Sequence, residues 1–420
     1  MSTDSEPTEQ DFSQGHALAR IGQTLRLPAF RWWFGAQVLS ASGTMTQTVA
    51  MSWVVLQYTH SALWLGMITV TTWTPLLVLG PWIGALVDHV DRRRLLVATQ
   101  VGFIAVGLAL FLLTLSRPPL VWLFLLAALS GVVTAFDAPA RQVYVVDLVG
   151  PARIAGAVSL YEVTMNASRV VGPAIGGALL GTVGAWACFL ANAVAFVPPL
   201  AVLLATRPVA DPAAVTTRRE PGAVRAGLRY VMGKPPVRAC LPIAAASGML
   251  FNLGVALPVF ASQALHLGGG GYGALMAAFG VGALPGAVLA AGRGDPSGRL
   301  VRVLALTTAV VVFVLACSPT AAVAFVAIAV AGFSGIWFIT AANTLAQIQS
   351  SDAMRGRVMA AWSMALPGTL PVTGLLVSTA IQLGGPRAGL LLAGAALAAT
   401  TALGWNGLGE RATPENMSLR

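Results

Sequence analysis

The chain has 420 residues, of which 56% are hydrophobic and 10% charged, with a mean hydropathy of +0.78 and a formal net charge of +10. Soluble domains carry about 25% charged residues, so these figures exclude a soluble enzyme and leave an integral membrane protein. A spanning helix needs about 20 apolar residues, which allows about a dozen spans, and the long continuous apolar runs exclude an outer-membrane barrel of roughly 10-residue alternating strands.

In chain order, residues 1–29 carry Asp4, Glu6, Glu9 and Asp11 with no apolar run before Leu27, and read as a cytoplasmic tail without a cleavable signal peptide. Apolar runs bounded by charge, Pro or Gly clusters predict helices near 31–57, 63–87, 95–115, 118–139, 156–182 and 185–206. A charged, Pro- and Ala-rich linker follows at 207–236. Further helices are predicted near 237–263, 271–292, 300–318, 320–346, 357–382 and 387–408, with a cytoplasmic tail at 409–420. The expected fold is an all-α membrane protein of 12 transmembrane helices, in two pseudo-symmetric six-helix bundles at 30–206 and 237–408.

With the N-terminus inside, 22 of the 25 basic residues fall on cytoplasmic segments. Arg117 and Arg387 fall outside, and Arg169 lies within a span. The positive-inside rule therefore places both termini in the cytoplasm of a multi-pass inner-membrane protein. It also accounts for the basic charge without nucleic acid, because basic loops set topology and meet anionic headgroups. Cys188, Cys240 and Cys317 form no CxxC pair, so neither a disulfide framework nor a zinc site is expected. A shift of 202 residues lays Gly80 and Gly84 on Gly282 and Gly286, Phe136 on Phe338, Arg153 on Arg355 and Gly172 on Gly374. One offset across four regions reads as a duplicated six-helix half, the architecture of transporters that alternate access around a midplane site.

The loop after the second helix runs Gly84-Ala85-Leu86-Val87-Asp88-His89-Val90-Asp91-Arg92-Arg93-Arg94. It resembles the G-x-L-x-D-R-x-G-R-R signature of the major facilitator superfamily, with His89 and Asp91 in place of Arg and Gly. Its D-x-x-D-R-R form resembles exporters of the enterobactin and macrolide efflux type. Gly172-Pro173-Ala174-Ile175-Gly176-Gly177 in helix five matches the G-P-x-x-G-G signature of the exporter branches. Phe136-Asp137-Ala138-Pro139-Ala140-Arg141-Gln142 and Arg355-Gly356-Arg357 resemble the same subfamily. In the second half the matching loop is degraded, with Ala290 where the first half has Asp88.

Small residues at Gly80 and Gly84 let another helix approach, and Asp88 beside Arg92 and Arg93 suits a helix-capping ion-pair latch. The inner latch is therefore expected to comprise Gly80, Gly84, Asp88, Asp91, Arg92, Arg93, Asp137, Arg141 and Arg355. Gly172, Pro173, Gly176 and Gly177 read as a kinked hinge in helix five, close-packed against the opposite half. Ionisable groups within spans are candidates for function because burial in hydrocarbon is costly. Glu162, Asn166 and Arg169 fall at i, i+4 and i+7 and form one polar stripe. Glu162 is the leading proton-coupling candidate, with Asp137, near the inner end of helix four, the runner-up; a buried network that holds the halves closed is the other reading of the stripe. Helix one lacks the acid common in superfamily exporters and shows instead a neutral face of Gln37, Ser40, Thr44, Gln47 and Thr48.

Gln37, Thr44, Gln47, Trp73, Asn252, Asn343 and Trp362 are the cavity candidates. Their neutral character suits amphipathic or aromatic cargo rather than a compact polyanion. Trp32 and Trp33, at a helix start, read as interfacial belt residues. No G-x-x-x-x-G-K-[ST] loop occurs, so proton antiport is the expected drive, with no cofactor and no metal. The resemblance implies a monomeric secondary transporter in the lipid bilayer that exports a small lipophilic or amphipathic compound such as a drug, siderophore or secondary metabolite, with protons as the coupling ion. A lysolipid transporter or flippase of the same fold is the alternative. An importer is a weaker reading, and an intramembrane enzyme would need a reactive constellation that the spans do not supply.

Overall fold

The computed structural model describes residues 26–87, 90–116, 119–150, 154–206, 230–292 and 294–409. Among them there is no β-strand. The helices are α1 Pro28–Thr59, α2 Ala62–Val87, α3 Arg92–Leu115, α4 Leu120–Val149, α5 Ile154–Thr182, α6 Ala185–Ala195 and α7 Val197–Ala205. They continue as α8 Pro235–Phe251, α9 Leu253–Val259, α10 Gly269–Gly292, α11 Gly298–Ala316, α12 Ala321–Ile348, α13 Asp352–Ala365, α14 Leu370–Gly384 and α15 Ala388–Leu403.

Among the described residues eight stretches are long and apolar enough to cross a membrane, and the bent pair α8–α9 makes nine. Helix α15, at 16 residues, is a shorter apolar helix. Helices α1 and α5 have 32 and 29 residues. Each carries the polar stripe noted above, which dilutes an otherwise spanning run.

Four expected helices differ in shape. The span near 185–206 is interrupted at Phe196, where Pro198 and Pro199 open the second piece. The span near 237–263 breaks at Asn252, bends by 40° and ends in a π-turn at Phe260–Ala264. That near 357–382 is broken by a short 3-10 turn at Pro367–Thr369. Helix four runs ten residues past Pro139 to Val149, because an interior proline forfeits one backbone bond without ending a well-packed helix. The expected linker at 207–236 lies outside the described residues up to 229.

The chain falls into two compact units, Met1–Ala50 with Thr74–Thr216, and Met51–Trp73 with Thr217–Arg420. In the first unit α3 packs on α4 and α6. Gly107 brings α3 to within 3.1 Å, measured from a hypothetical Cβ, of the Ala193 backbone. Phe103 stacks on Phe196 at 4.4 Å. In the second unit α10 lies against α12 through three glycines. A Cβ on Gly282 or Gly286 would strike the carbonyls of Ala329 and Phe333, and one on Gly332 that of Phe279.

Positive φ recurs where helices end. His60, after α1, and His266, after the π-turn that follows α9, have φ of 50° and 54°. Gly184 and Gly385, after α5 and α14, have φ of 116° and 84°, a conformation that glycine adopts without the penalty of a Cβ.

Candidate functional site

A buried polar cluster joins α1, α3 and α4 of the first unit. The i, i+4 spacing of Asp137 and Arg141 stacks them one turn apart on α4. Asp137 is 2% exposed, and its Oδ2 pairs with Arg141 Nη2. Its Oδ1 accepts from Thr99 Oγ1 at 2.9 Å and from Gln100 Nε2 at 2.8 Å. Arg141 Nη1 donates to Gln37 Oε1 on α1 at 2.6 Å. Trp33 packs edge-on against Tyr144, with centroids 5.2 Å apart, beside this cluster on the same two helices.

Withdrawing one member of a buried ion pair costs about 3–5 kcal/mol through the charge left behind, so any event that neutralises Asp137 forces Arg141 to find other company.

These positions correct two expectations. Arg141 belongs to α4 rather than to the segment beyond it, and its guanidinium bonds Asp137 and Gln37. Trp33 is 1% exposed and belongs to the unit's core, while Trp32, at 65%, faces outward. Thr99 and Gln100 were not singled out from sequence, although an adjacent Thr-Gln pair inside the apolar run of helix three marks buried hydrogen bonding.

In helix five, Gly172 and Gly176 face α1 of the same unit rather than the opposite half. A Cβ on Gly172 would meet Met45 and the Ser42 carbonyl, and one on Gly176 would lie 3.3 Å from Val49. Thr46 Oγ1 donates to the Gly172 carbonyl at 2.8 Å, and Pro173 and Gly177 are buried with them. Arg169 is half-buried and bonded. The side chains of Glu162 and Asn166 lie outside the described residues, as do Asp88 and the surroundings of Gly84 and Arg355.

Among the described residues of the signature loop, Asp91 and Arg93 serve helix ends. Asp91 caps α3, accepting from the backbone N–H groups of Arg93 and Arg94 at 3.0 and 3.1 Å. Arg93 reaches the last carbonyls of α7, donating from Nε to Leu203 at 2.7 Å and from Nη2 to Leu204 at 2.9 Å. An arginine on the terminal carbonyls of a helix complements its dipole, so Arg93 ties helix three to helix six rather than closing a latch. Arg302 repeats the device in the second unit, donating to Trp405 O at 3.2 Å with its guanidinium 4.6 Å from the indole centroid. Arg92 is bonded. Among the described residues nothing lies within 4 Å of a Cβ placed on Gly80.

The cavity candidates separate. Gln37 joins the cluster above. Gln47 Oε1 accepts from Asn192 Nδ2 at 2.6 Å. The Thr44 hydroxyl donates to the Ser40 carbonyl. Asn252 sits in the break of span seven, its Nδ2 directed at Gly248 O, Thr373 Oγ1 and Leu370 O at 2.8, 2.9 and 3.2 Å. Asn343 accepts from Gln347 on its own helix at 3.0 Å. Trp362 is a core residue of the second unit at 7% exposure, and Trp73 is half-buried.

The second unit also holds the α1–α2 turn. Ser61 Oγ donates to Gln382 Oε1 at 3.0 Å, Trp53 stacks on Tyr272 at 6.1 Å, and Gly66 lies so close to α14 that a Cβ would meet Ser378.

A profile of the transmembrane secretion effector family matches residues 22–412. The staphyloferrin A transporter of Staphylococcus aureus (strain NCTC 8325 / PS 47) is 32% identical over 41% of this chain and 44% of its own length. The multidrug efflux pump Tap of Mycolicibacterium fortuitum is 29% identical over 48% of this chain and 52% of its own. Those two matches span about half of each relative. The enterobactin exporter EntS of Citrobacter koseri is 28% identical over 80% of this chain and 81% of its own. Among solved structures, a bacterial homologue of the iron transporter ferroportin in its inward-facing state has a TM-score of 0.66 at 16% identity, over 91% of this chain and 99% of that one. A bacterial homologue of the human lysosomal transporter Spinster, inward-facing and occupied, has 0.68 at 16%, over 93% and 99%.

Proposed function

From the premise that the chain belongs to the transmembrane secretion effector family, and is therefore a multi-pass membrane transporter of the major facilitator type and not an enzyme, we propose that it exports a small lipophilic or amphipathic compound by alternating access, driven by proton antiport. Twelve spans in two six-helix halves, both termini cytoplasmic, and a monomer in the inner membrane complete the reading.

The observation that carries it is the ion pair of Asp137 and Arg141 buried within a span. Charge at that depth is costly unless it is used, and a carboxylate whose neutralisation frees a guanidinium is a means of joining proton uptake to helix movement. In this reading Asp137 stands beside Glu162 as a coupling residue, and the Glu162–Asn166–Arg169 stripe lies on the neighbouring helix. Gly80 and Gly84, with Asp88 and Arg355, form the inner closure made when the transporter opens outward. Helix five moves with helix one, against which Gly172 and Gly176 pack.

The test is efflux of a hydrophobic dye or antibiotic panel from cells expressing the protein, with and without a protonophore. Protonophore-sensitive efflux that vanishes in Asp137→Asn, at unchanged membrane expression, supports the reading. Efflux that persists in that variant and vanishes in Glu162→Gln returns the coupling role to Glu162. Lipid scrambling by the reconstituted protein without efflux of any compound replaces export with lipid transport.

A further inference from the structure

We propose that the cavity between the C-terminal ends of α10 and α12 binds a protonated amine carried on a flat apolar body. The inference rests on the export reading, which puts these helix ends at the cytoplasmic face, and names a class of cargo collected there.

The cavity lies within the second unit and measures about 300 Å³, at the lower end of the roughly 300–1,000 Å³ of ligand pockets. Trp337, Thr340, Ala341 and Thr344 line it at i, i+3, i+4 and i+7, so α12 turns one face to it. The facing wall is Ala290 and Ala291 of α10 with the loop that carries Asp295. Its floor is buried, with Trp337 8% and Ala341 4% exposed, and its mouth lies at the exposed Ala291 and Asp295. Ala290 stands 202 residues from Asp88, and its methyl leaves space where the first half carries a carboxylate.

The polar groups around this space are mostly acceptors. Asp295 is a carboxylate without an ion pair among the described residues. The carbonyls of Ala290 and Ala291 belong to the last turn of α10, beyond the reach of intrahelical N–H groups. They accept no backbone bond among the described residues, and such a helix end carries partial negative charge. The hydroxyls of Thr340 and Thr344 make no hydrogen bond among the described residues. Thr308, Thr373 and Thr401 of the same unit, by contrast, spend theirs on the carbonyl four residues back.

An inventory of acceptors calls for a ligand rich in donors. An ammonium brings three N–H groups, no acceptor, and the sign of charge that Asp295 and the helix end favour. A carboxylate would meet both with like charge. Trp337, packed edge-on against Phe333 at 5.6 Å, adds an indole, which suits a cation and a flat apolar body alike. Arg293 and Arg299 flank Asp295 in sequence, and Arg302 is engaged by Trp405. Arg299 is exposed, where salt screens it. A bare charge therefore gains little here, and recognition needs the donors and the ring together.

The experiment compares 2-(aminomethyl)naphthalene, 2-(hydroxymethyl)naphthalene and 2-naphthoate with methylamine, which has the charge without the ring. Binding to the full chain in phosphatidylcholine nanodiscs is measured by equilibrium dialysis, with partition into empty nanodiscs subtracted. The naphthyl amine is expected to bind at least tenfold tighter than the other three. Asp295→Asn, at an exposed position, and Thr340→Val with Thr344→Val, which keep shape and remove both hydroxyls, are each expected to lose that margin over the alcohol. Equal affinities, a preference for the naphthoate, methylamine bound as tightly, or a margin retained in either variant overturns the proposal. The wild-type ranking needs no variant to fold, and melting temperatures guard the variant comparisons. Dye efflux by the wild-type protein is measured separately. A lost ranking with intact efflux removes this site alone, and an intact ranking without efflux removes the export reading alone.

Discussion

At positions 202 residues apart the two units are built in opposite ways. The 202-residue shift that lays Phe136 on Phe338 also lays Asp137 on Ile339, Arg141 on Asn343 and Thr99 on Val301. It carries the contact of Gly107 with Ala193 close to that of Ala309 with Gly394 as well. In the first unit these positions form a buried ion pair with polar support. In the second, Val301 is fully buried, Ile339 packs on the same apolar core, and Asn343 bonds within its own helix. A fold copy that stands without the ion pair shows that the architecture does not need it. Replacing buried pairs by apolar residues is often neutral or stabilising, so the pair in the first unit is a feature kept for use.

The largest expected effect comes from breaking the pair on one side. Asp137→Ala should cost about 3–5 kcal/mol, read as a fall in melting temperature, because Arg141 is left charged and buried; transport should fall with it. A change under about 1 kcal/mol would mean that the guanidinium escapes to solvent.

Next is the glycine seam, where the units differ again. Gly282→Val drives a side chain into the Ala329 carbonyl and should cost about 1–3 kcal/mol or more, seen as lost monodispersity on size exclusion or an early melt. The matching Gly80→Val meets nothing and should stay within about 0.5 kcal/mol of wild type, as open positions do. A transport defect in Gly80→Val at normal stability would identify its open face as one that closes during the cycle.

Copying the second unit into the first sharpens the comparison further. Asp137→Ile with Arg141→Asn should melt within about 1–2 kcal/mol of wild type, or above it, since no orphaned charge remains, yet export should be abolished. Export at the wild-type rate would make the ion pair an ornament. A comparable effect is expected at the helix-end arginines. Arg93→Gln loses two bonds to α7 and should cost about 1–3 kcal/mol, while Arg302→Gln loses one bond and an exposed cation–π contact and should cost about 1 kcal/mol.

What could be read from the residues follows from how strongly each type constrains a membrane helix. Span positions were legible because charge, Pro and Gly are expensive inside hydrocarbon and so collect at its edges. That logic failed where a proline was absorbed, and α4 carried Arg141 inward past Pro139. The candidate site was half legible. Charge drew attention to Asp137 and Arg141, and helical spacing to Gln37. Thr99 and Gln100 passed unnoticed because neutral polar residues cost less to bury and stand out less. Trp33 was misread because belt and core tryptophans have the same sequence context, and only its neighbour Tyr144, more than a hundred residues away, decides between them. The expected latch at Asp91 and Arg93 dissolved into caps, since one arginine serves a distant partner or the nearest helix end equally well until the backbone is known.

The break at Asn252 has a mechanical consequence. Span seven is two short rods rather than one beam, and their junction is held by a side-chain amide reaching across to Thr373 and Leu370, beside the interrupted span eleven. Stress applied to either end concentrates at that joint, where yielding costs a few side-chain hydrogen bonds instead of a turn of helix. Within its glycine-locked frame the second unit thus has a compliant point at Asn252, and a load arriving through α14 reaches that joint before the seam between α10 and α12.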